Sequence, residues 1–255
     1  MLDIKKQYIK ELYFDQPIVY KNLSIYPVTM KDYLDFHWLV SCLLIDKNSI
    51  PDVNIISMSY LKFLYYQSSS QDKPYVYMLK ALLCMVLHLD LNYEIRFYIN
   101  NNKAFFNIDN VEYNSADFDN IVDIIFEQNC ISHIDESIQK ELRDEFERAQ
   151  RYRQQQNNQK ICSLEEQMIC VMISTPLDME SIYKLTIRKF EKILQRVDAK
   201  MHYQIYLSAS MSGMVEFKDK NAIKYWMSDL SKDDNYSDVK VDMDDMKNKI
   251  DNINQ

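Results

Sequence analysis

The stretch IRKFEKILQRVDAKMHYQIYLSASMSG, residues 187–213, decides how the chain is read. Its apolar residues Ile187, Phe190, Leu194, Val197, Met201 and Ile205 recur at spacings of three and four, a stripe of about five helical turns. The stretch closes on Gly213, the only glycine among 255 residues. A glycine just past the last periodic residue is the usual helix stop, because it accepts the left-handed conformation without steric cost.

A single glycine also removes whole classes of chemistry. Loops that cradle phosphates need several glycines so that backbone N–H groups can approach the ligand. The dinucleotide fingerprint, the P-loop and the strained serine elbow are therefore all absent. The leading expectation is a protein that is not an enzyme and has no cofactor.

Working outward, Ser163 with Glu166 forms a capping box ahead of Met168, Val171 and Met172, and Thr175-Pro176 ends that helix. In the other direction, residues 223–226, with Ile223, Tyr225 and Trp226, predict one more short helix. From Ser228 onward the chain carries eight aspartates against four lysines, and an acidic, disordered tail is expected.

The first half alternates between two periods. MLDIKKQYIKELYF has no apolar signal core, so no signal peptide is read and a first amphipathic helix is expected. Ile18-Val19-Tyr20 and Leu23-Ser24-Ile25-Tyr26 flank Lys21-Asn22 as a small β-hairpin. Thr29 is the expected N-cap of a helix through DYLDFHWLVSCLLI, with Asp32 as its capping-box partner. A second helix runs through Leu61 and Leu64 to Ser68-Ser69-Ser70, and a third starts at Pro74 and reaches His88. Tyr75 to Leu89 is the longest apolar stretch, but Lys80 interrupts it and it is too short for a bilayer, so a buried helix is expected. Tyr93, Ile95, Phe97 and Ile99 alternate with polar residues as a strand, Asn101 and Asn102 supply a turn, and Phe105 to Ile108 completes a second hairpin. Ser115 precedes a helix with Phe118, Ile121, Ile124 and Ile125 on one face.

These readings give a mainly α fold with two small β-hairpins (α+β) and a helical C-terminal half. The expected organisation is an N-terminal domain over 1–135, a charged helical connector over 136–162, a helical C-terminal domain over 163–228 and the acidic tail over 229–255. The connector holds Arg143, Arg148, Arg151 and Arg153 interleaved with Glu141, Asp144, Glu145 and Glu147, the pattern of a solvated helix. A net charge of −8 argues against an extended grip on nucleic acid, and no stretch argues for a membrane.

Candidate reactive groups each have a plainer reading. Cys130-x-x-His133 has metal-ligand types but no second pair nearby. Asp242, Asp244 and Asp245 resemble the opening of a calcium loop without its glycine and closing Glu. His37, His88 and His202 sit among aromatic or apolar neighbours and are expected to be partly buried. The five cysteines, Cys42, Cys84, Cys130, Cys162 and Cys170, are odd in number and widely spaced, which suggests reduced, mostly buried thiols in a cytosol. No catalytic, cofactor or metal residue is assigned. The wealth of Met and Tyr suits adaptable protein-binding surfaces as well as a core.

From Leu164 to Trp226 the chain resembles the C-terminal half of small tail-gene proteins from phages of low-GC Gram-positive bacteria. The shared features are the L-E-E-Q helix from Leu164, the Y-x-L-T-x-R-x-F entry from Tyr183 to Phe190, the A-x-M-S-G-M-V ending from Ala209, and Trp226-Met227. Ile25-Tyr26-Pro27-Val28 with Asp32-Tyr33 is similar to the same proteins. The resemblance implies a tail assembly chaperone in the host cytoplasm that binds tape-measure or tail-tube proteins, with no catalytic residues. It leaves open a virion structural subunit of the baseplate or tail. A metal-dependent nuclease is the enzymatic alternative, since its carboxylates could not be recognised by spacing.

Overall fold

A computed structural model describes residues 4–50, 52–70, 72–132, 148, 162–213 and 223–229. The expected connector, apart from Arg148 and Cys162, and all but the first residue of the acidic tail lie outside the described residues, as do His133, Asp242, Asp244 and Asp245. The chain forms two compact units, Met1–Leu194 and Gln195–Gln255. It is mainly helical with two small antiparallel sheets.

The first unit opens with α1 (Ile4–Gln7) and α2 (Ile9–Tyr13), so the expected first helix is interrupted at Tyr8. Strands β1 (Ile18–Tyr20) and β2 (Leu23–Ile25) pair antiparallel with Ile18 opposite Ile25, and both are fully buried. Lys21 takes the left-handed turn conformation at φ 51°. A 3-10 turn, Met30–Asp32, leads into α3 (Tyr33–Val40), which ends in another 3-10 turn, Ser41–Leu43. Thr29 does not cap a backbone group as expected. Its hydroxyl donates instead to the Asp32 carboxylate at 2.9 Å.

Helices α4 (Val53–Ser57), α5 (Tyr60–Ser70) and α6 (Tyr75–Val86) follow. Pro74 stands at the N-cap of α6, where its missing N–H costs nothing. Met78, Leu79, Ala81, Leu82, Leu83, Cys84 and Val86 are all buried, which accounts for the apolar run. Strands β3 (Arg96–Asn100), β4 (Lys103–Ile108) and β5 (Val111–Asn114) form a meander in the order β3-β4-β5. The third strand is an addition to the expected hairpin. Both turns have two residues with positive φ, Asn101-Asn102 at 46° and 64° and Asp109-Asn110 at 52° and 61°. Asn and Asp tolerate this region better than other side-chain-bearing residues, so they replace the absent glycines.

Helix α7 (Ser115–Gln128) buries Phe118, Ile121, Ile124 and Ile125 as the periodicity requires. Its cap is Asn114 rather than Ser115: Asn114 accepts from the Ala116 and Asp117 N–H groups, and Asp117 answers to the Asn114 N–H at 3.1 Å. Phe106 stacks on Tyr113 with centroids 5.0 Å apart and meets Phe118 edge-on, joining sheet to helix. Helix α8 (Leu164–Ser174) carries the expected box, with Glu166 N–H donating to Ser163 Oγ at 3.2 Å and Ser163 N–H to Glu166 Oε2 at 2.7 Å. A helix not foreseen, α9 (Met179–Lys184), is capped by Asp178 and buries Ile182. The longest helix among the described residues, α10 (Ile187–Met211), places Ile187 and Phe190 in the core of the first unit.

The second unit contains α10 from Gln195 onward and the described residues 223–229. Arg196 donates to the carbonyls of Trp226 and Ser228 at 2.8 and 2.7 Å, and Tyr203 meets Tyr225 edge-on. Residues 223–229 form bends and turns instead of the expected short helix. Two of their carbonyls accept from the Arg196 guanidinium, and a single turn-closing bond, Ser228 N–H to Tyr225 O, is made. The apolar stripe also changes character here, with Met201 52% and Ile205 58% exposed. Gly213 adopts φ 68° at the helix end, as expected of a stop signal.

Candidate functional site

The site grows from one extended segment, Ile25 to Met30, whose backbone is held by elements far away in sequence. Tyr26 N–H donates to Val86 O at 2.7 Å, Val28 N–H to Asn129 Oδ1 at 2.9 Å, and Met30 N–H to Leu185 O at 2.8 Å. Ile187 N–H returns a bond to Val28 O at 2.9 Å, which makes Thr29 and Thr186 an antiparallel bridge. Gln128 Nε2 donates to Ile25 O at 3.1 Å. Pro27, with no N–H, leaves no donor to satisfy in the middle of this run.

With its backbone fixed, the segment forms one wall of a groove completed by α3 and α6. Pro27, Val28 and Thr29 line that wall. From α3 come Asp32 at its N-cap, then Asp35, Trp38 and Leu39, which a spacing of three to four places on one face. From α6 and its exit come Tyr77, Ala81, Cys84, Met85, His88, Leu89 and Leu91. The groove has a volume of about 420 Å³, within the range of roughly 300–1,000 Å³ typical of ligand pockets, and is open to solvent. Val28, Leu39, Ala81 and Cys84 are buried and make an apolar floor. The rim is exposed and mixed: Trp38 at 54%, Tyr77 at 63%, with Asp32, Asp35 and His88 beside them.

His88 owes its place to the way α6 ends. The residue adopts φ 55°, its N–H donates to Met85 O at 3.3 Å, and Leu89 N–H donates to Cys84 O at 2.8 Å. These are the two bonds of a Schellman stop, with a histidine where glycine is favoured. The imidazole stacks on Tyr26, centroids 4.0 Å apart and planes 11° from parallel. Asp15 and Cys130 end α2 and α7 in the same left-handed conformation, at φ 53° and 56°.

His37, His88 and His202 are all exposed, not partly buried as expected; His37 lies against Tyr33, and His202 pairs with Asp198 one turn before it. Cys42 and Cys84 are buried, while Cys130, Cys162 and Cys170 are exposed, so the expectation of mostly buried thiols is corrected. Burial pushes the Cys42 thiol up to about 12 and raises Cys84, with the Lys80 charge only partly opposing. A thiol held protonated is a poor nucleophile, so Cys84 lines the groove as an apolar surface. Among the described residues, no group of three His, Cys, Asp or Glu side chains could hold a metal ion. No helix of the described residues is long and apolar enough to cross a membrane.

Sequence reasoning missed the groove because its walls come from three separated segments. The one available signal was the Ile25-Tyr26-Pro27-Val28 and Asp32-Tyr33 pairing, which marks the groove's first wall and the start of α3. Among known families, residues 142–231 match the one described as YomV second domain, which is phage-derived. The matched residues include α8, α9 and α10, and so the Leu185 and Ile187 backbone groups that hold Val28 and Met30. No curated protein and no solved structure matches the chain.

Proposed function

We propose that the chain is a non-enzymatic phage tail morphogenesis factor, a tail assembly chaperone that holds tape-measure or tail-tube proteins in the host cytoplasm before they assemble. The observation that carries this reading is the groove between α3 and α6, with its apolar floor and exposed Trp38 and Tyr77 rim. An apolar channel between two helices is the kind of surface into which an amphipathic client helix lays its apolar face. Aromatic residues standing exposed at such a rim are the residue types that anchor protein interfaces. The similarity of residues 142–231 to a phage-derived family supports the phage context.

The test is co-purification of this chain with the tape-measure and tail-tube proteins of the same phage. The expected result is a stable complex with one of them that Trp38→Ala weakens at least tenfold, which corresponds to about 1.4 kcal/mol. Mass spectrometry of purified virions should lack the chain. Recovery of the chain in virions at fixed stoichiometry would instead support a structural subunit of baseplate or tail.

A further inference from the structure

We propose that the α3/α6 groove selects a protein segment that presents an arginine or lysine flanked by apolar side chains, the cation seated between the Asp32 and Asp35 carboxylates and the faces of Trp38 and Tyr77. This rests on reading the groove as a protein-docking site, and it names the chemistry of the occupant. Charge complementarity commits the choice. The lining residues include two carboxylates and neither lysine nor arginine. Asp32 accepts one hydrogen bond, from the Thr29 hydroxyl, while Asp35 is exposed and makes no hydrogen bond or ion pair with the described residues. Trp38 lies one turn after Asp35 on the same helix, so carboxylate and indole face the same space. A cation over an exposed aromatic face is attracted when it lies within about 6 Å of the ring, and an adjacent carboxylate adds a charge-assisted hydrogen bond. The apolar floor of Val28, Leu39 and Ala81 takes the methylene stem and the flanking side chains. An acidic segment would bring its charge against two carboxylates and is disfavoured by the same charge pattern.

The experiment uses the full chain carrying Trp226→Phe, which leaves Trp38 as the only tryptophan and keeps the Trp226 carbonyl that Arg196 grips. Trp38 fluorescence is titrated with acetyl-Ala-Leu-Arg-Leu-Ala-amide and with the same peptide carrying Glu for Arg. The Arg peptide should give a saturable shift, with at least a tenfold weaker response to the Glu peptide and a loss of affinity in high salt. Asp35→Asn should weaken the Arg peptide, and Asp35→Lys should reverse the preference, an inversion that loss of fold does not produce. Circular dichroism melts of each variant check that α3 remains intact. No saturable shift up to about 5 mM Arg peptide, near the weakest binding worth the name, overturns the proposal. Equal binding of the two peptides, or an unchanged preference in Asp35→Lys, does the same. If Arg selectivity holds but no tail protein co-purifies, the tail reading falls and the groove chemistry stands. If a tail protein binds and Asp35→Lys leaves that complex unaffected, the groove chemistry falls and the tail reading stands.

Discussion

Asp117, 6% exposed, is the one buried carboxylate among the described residues. Burial alone would raise its pKa. The Lys21 ammonium at 2.7 Å, the Asn114 N–H at 3.1 Å and the Tyr20 hydroxyl at 2.9 Å outweigh that and hold it below the ordinary 3.8. A carboxylate with a depressed folded-state pKa stabilises the fold above its unfolded value and loses that contribution as pH falls through the folded value. Asp117→Asn should therefore cost about 1–3 kcal/mol at neutral pH, with the gap to the natural chain closing as the solution is acidified below 3.8. Urea melts across that range check it; a gap constant with pH would mean that the carboxylate charge contributes nothing. Gly213 offers a second test at this scale. Nothing lies within 4 Å of where a Cβ would stand, so Gly213→Ala meets no clash and only the strain of φ 68°. The expected loss is about 1 kcal/mol, read as faster amide exchange in the last turn of α10.

Among the elements, helix caps separate what spacing reveals from what it does not. Ser163 and Glu166 were legible because both halves of a capping box lie in four consecutive residues and need no outside partner. Thr29 and Asp32 have the same spacing, yet Val28 and Met30 on either side of Thr29 are tied to Ile187 and Leu185, and the Thr29 hydroxyl turns to the Asp32 side chain. Ser163→Ala should accordingly cost about 1 kcal/mol, while Thr29→Ala should cost clearly less, compared by thermal unfolding. Asn129 is the reverse case, a buried amide whose role has no local signature. It accepts from Val28 N–H and donates to Ile125 O at 2.8 Å, tying α7 to the groove wall. Asn129→Ala leaves both backbone groups buried without a partner and should cost about 1–3 kcal/mol in denaturant unfolding. The third strand of the meander escaped notice because Val111 to Asn114 is four residues long and offers only Val111 and Tyr113 to an alternating pattern.

For the molecule as a whole, fold class was legible and the groove was not, for one physical reason. Periodicity reports which face of an element is apolar, and it did so for α6, α7 and the start of α10. It is silent on which faces meet, and every wall of the groove depends on that. Nothing in the spacing of Asp32, Asp35 and Trp38 shows that Tyr77 and His88 line the same groove. The stripe of α10 shows the same limit: its spacing predicts the helix that forms and continues past Leu194, but Met201 and Ile205 are exposed. The bonds that hold the groove wall have a consequence for biosynthesis. Val28 waits on Asn129, 101 residues later, and the clasp from Thr186 Oγ1 to Asp15 Oδ1 closes across 171 residues. At about 5–20 residues per second, the ribosome needs roughly 10–30 s to supply that second partner. Through that interval the distant partners of the groove wall are missing, so the groove proposed to receive a client is complete only after most of the chain has been translated.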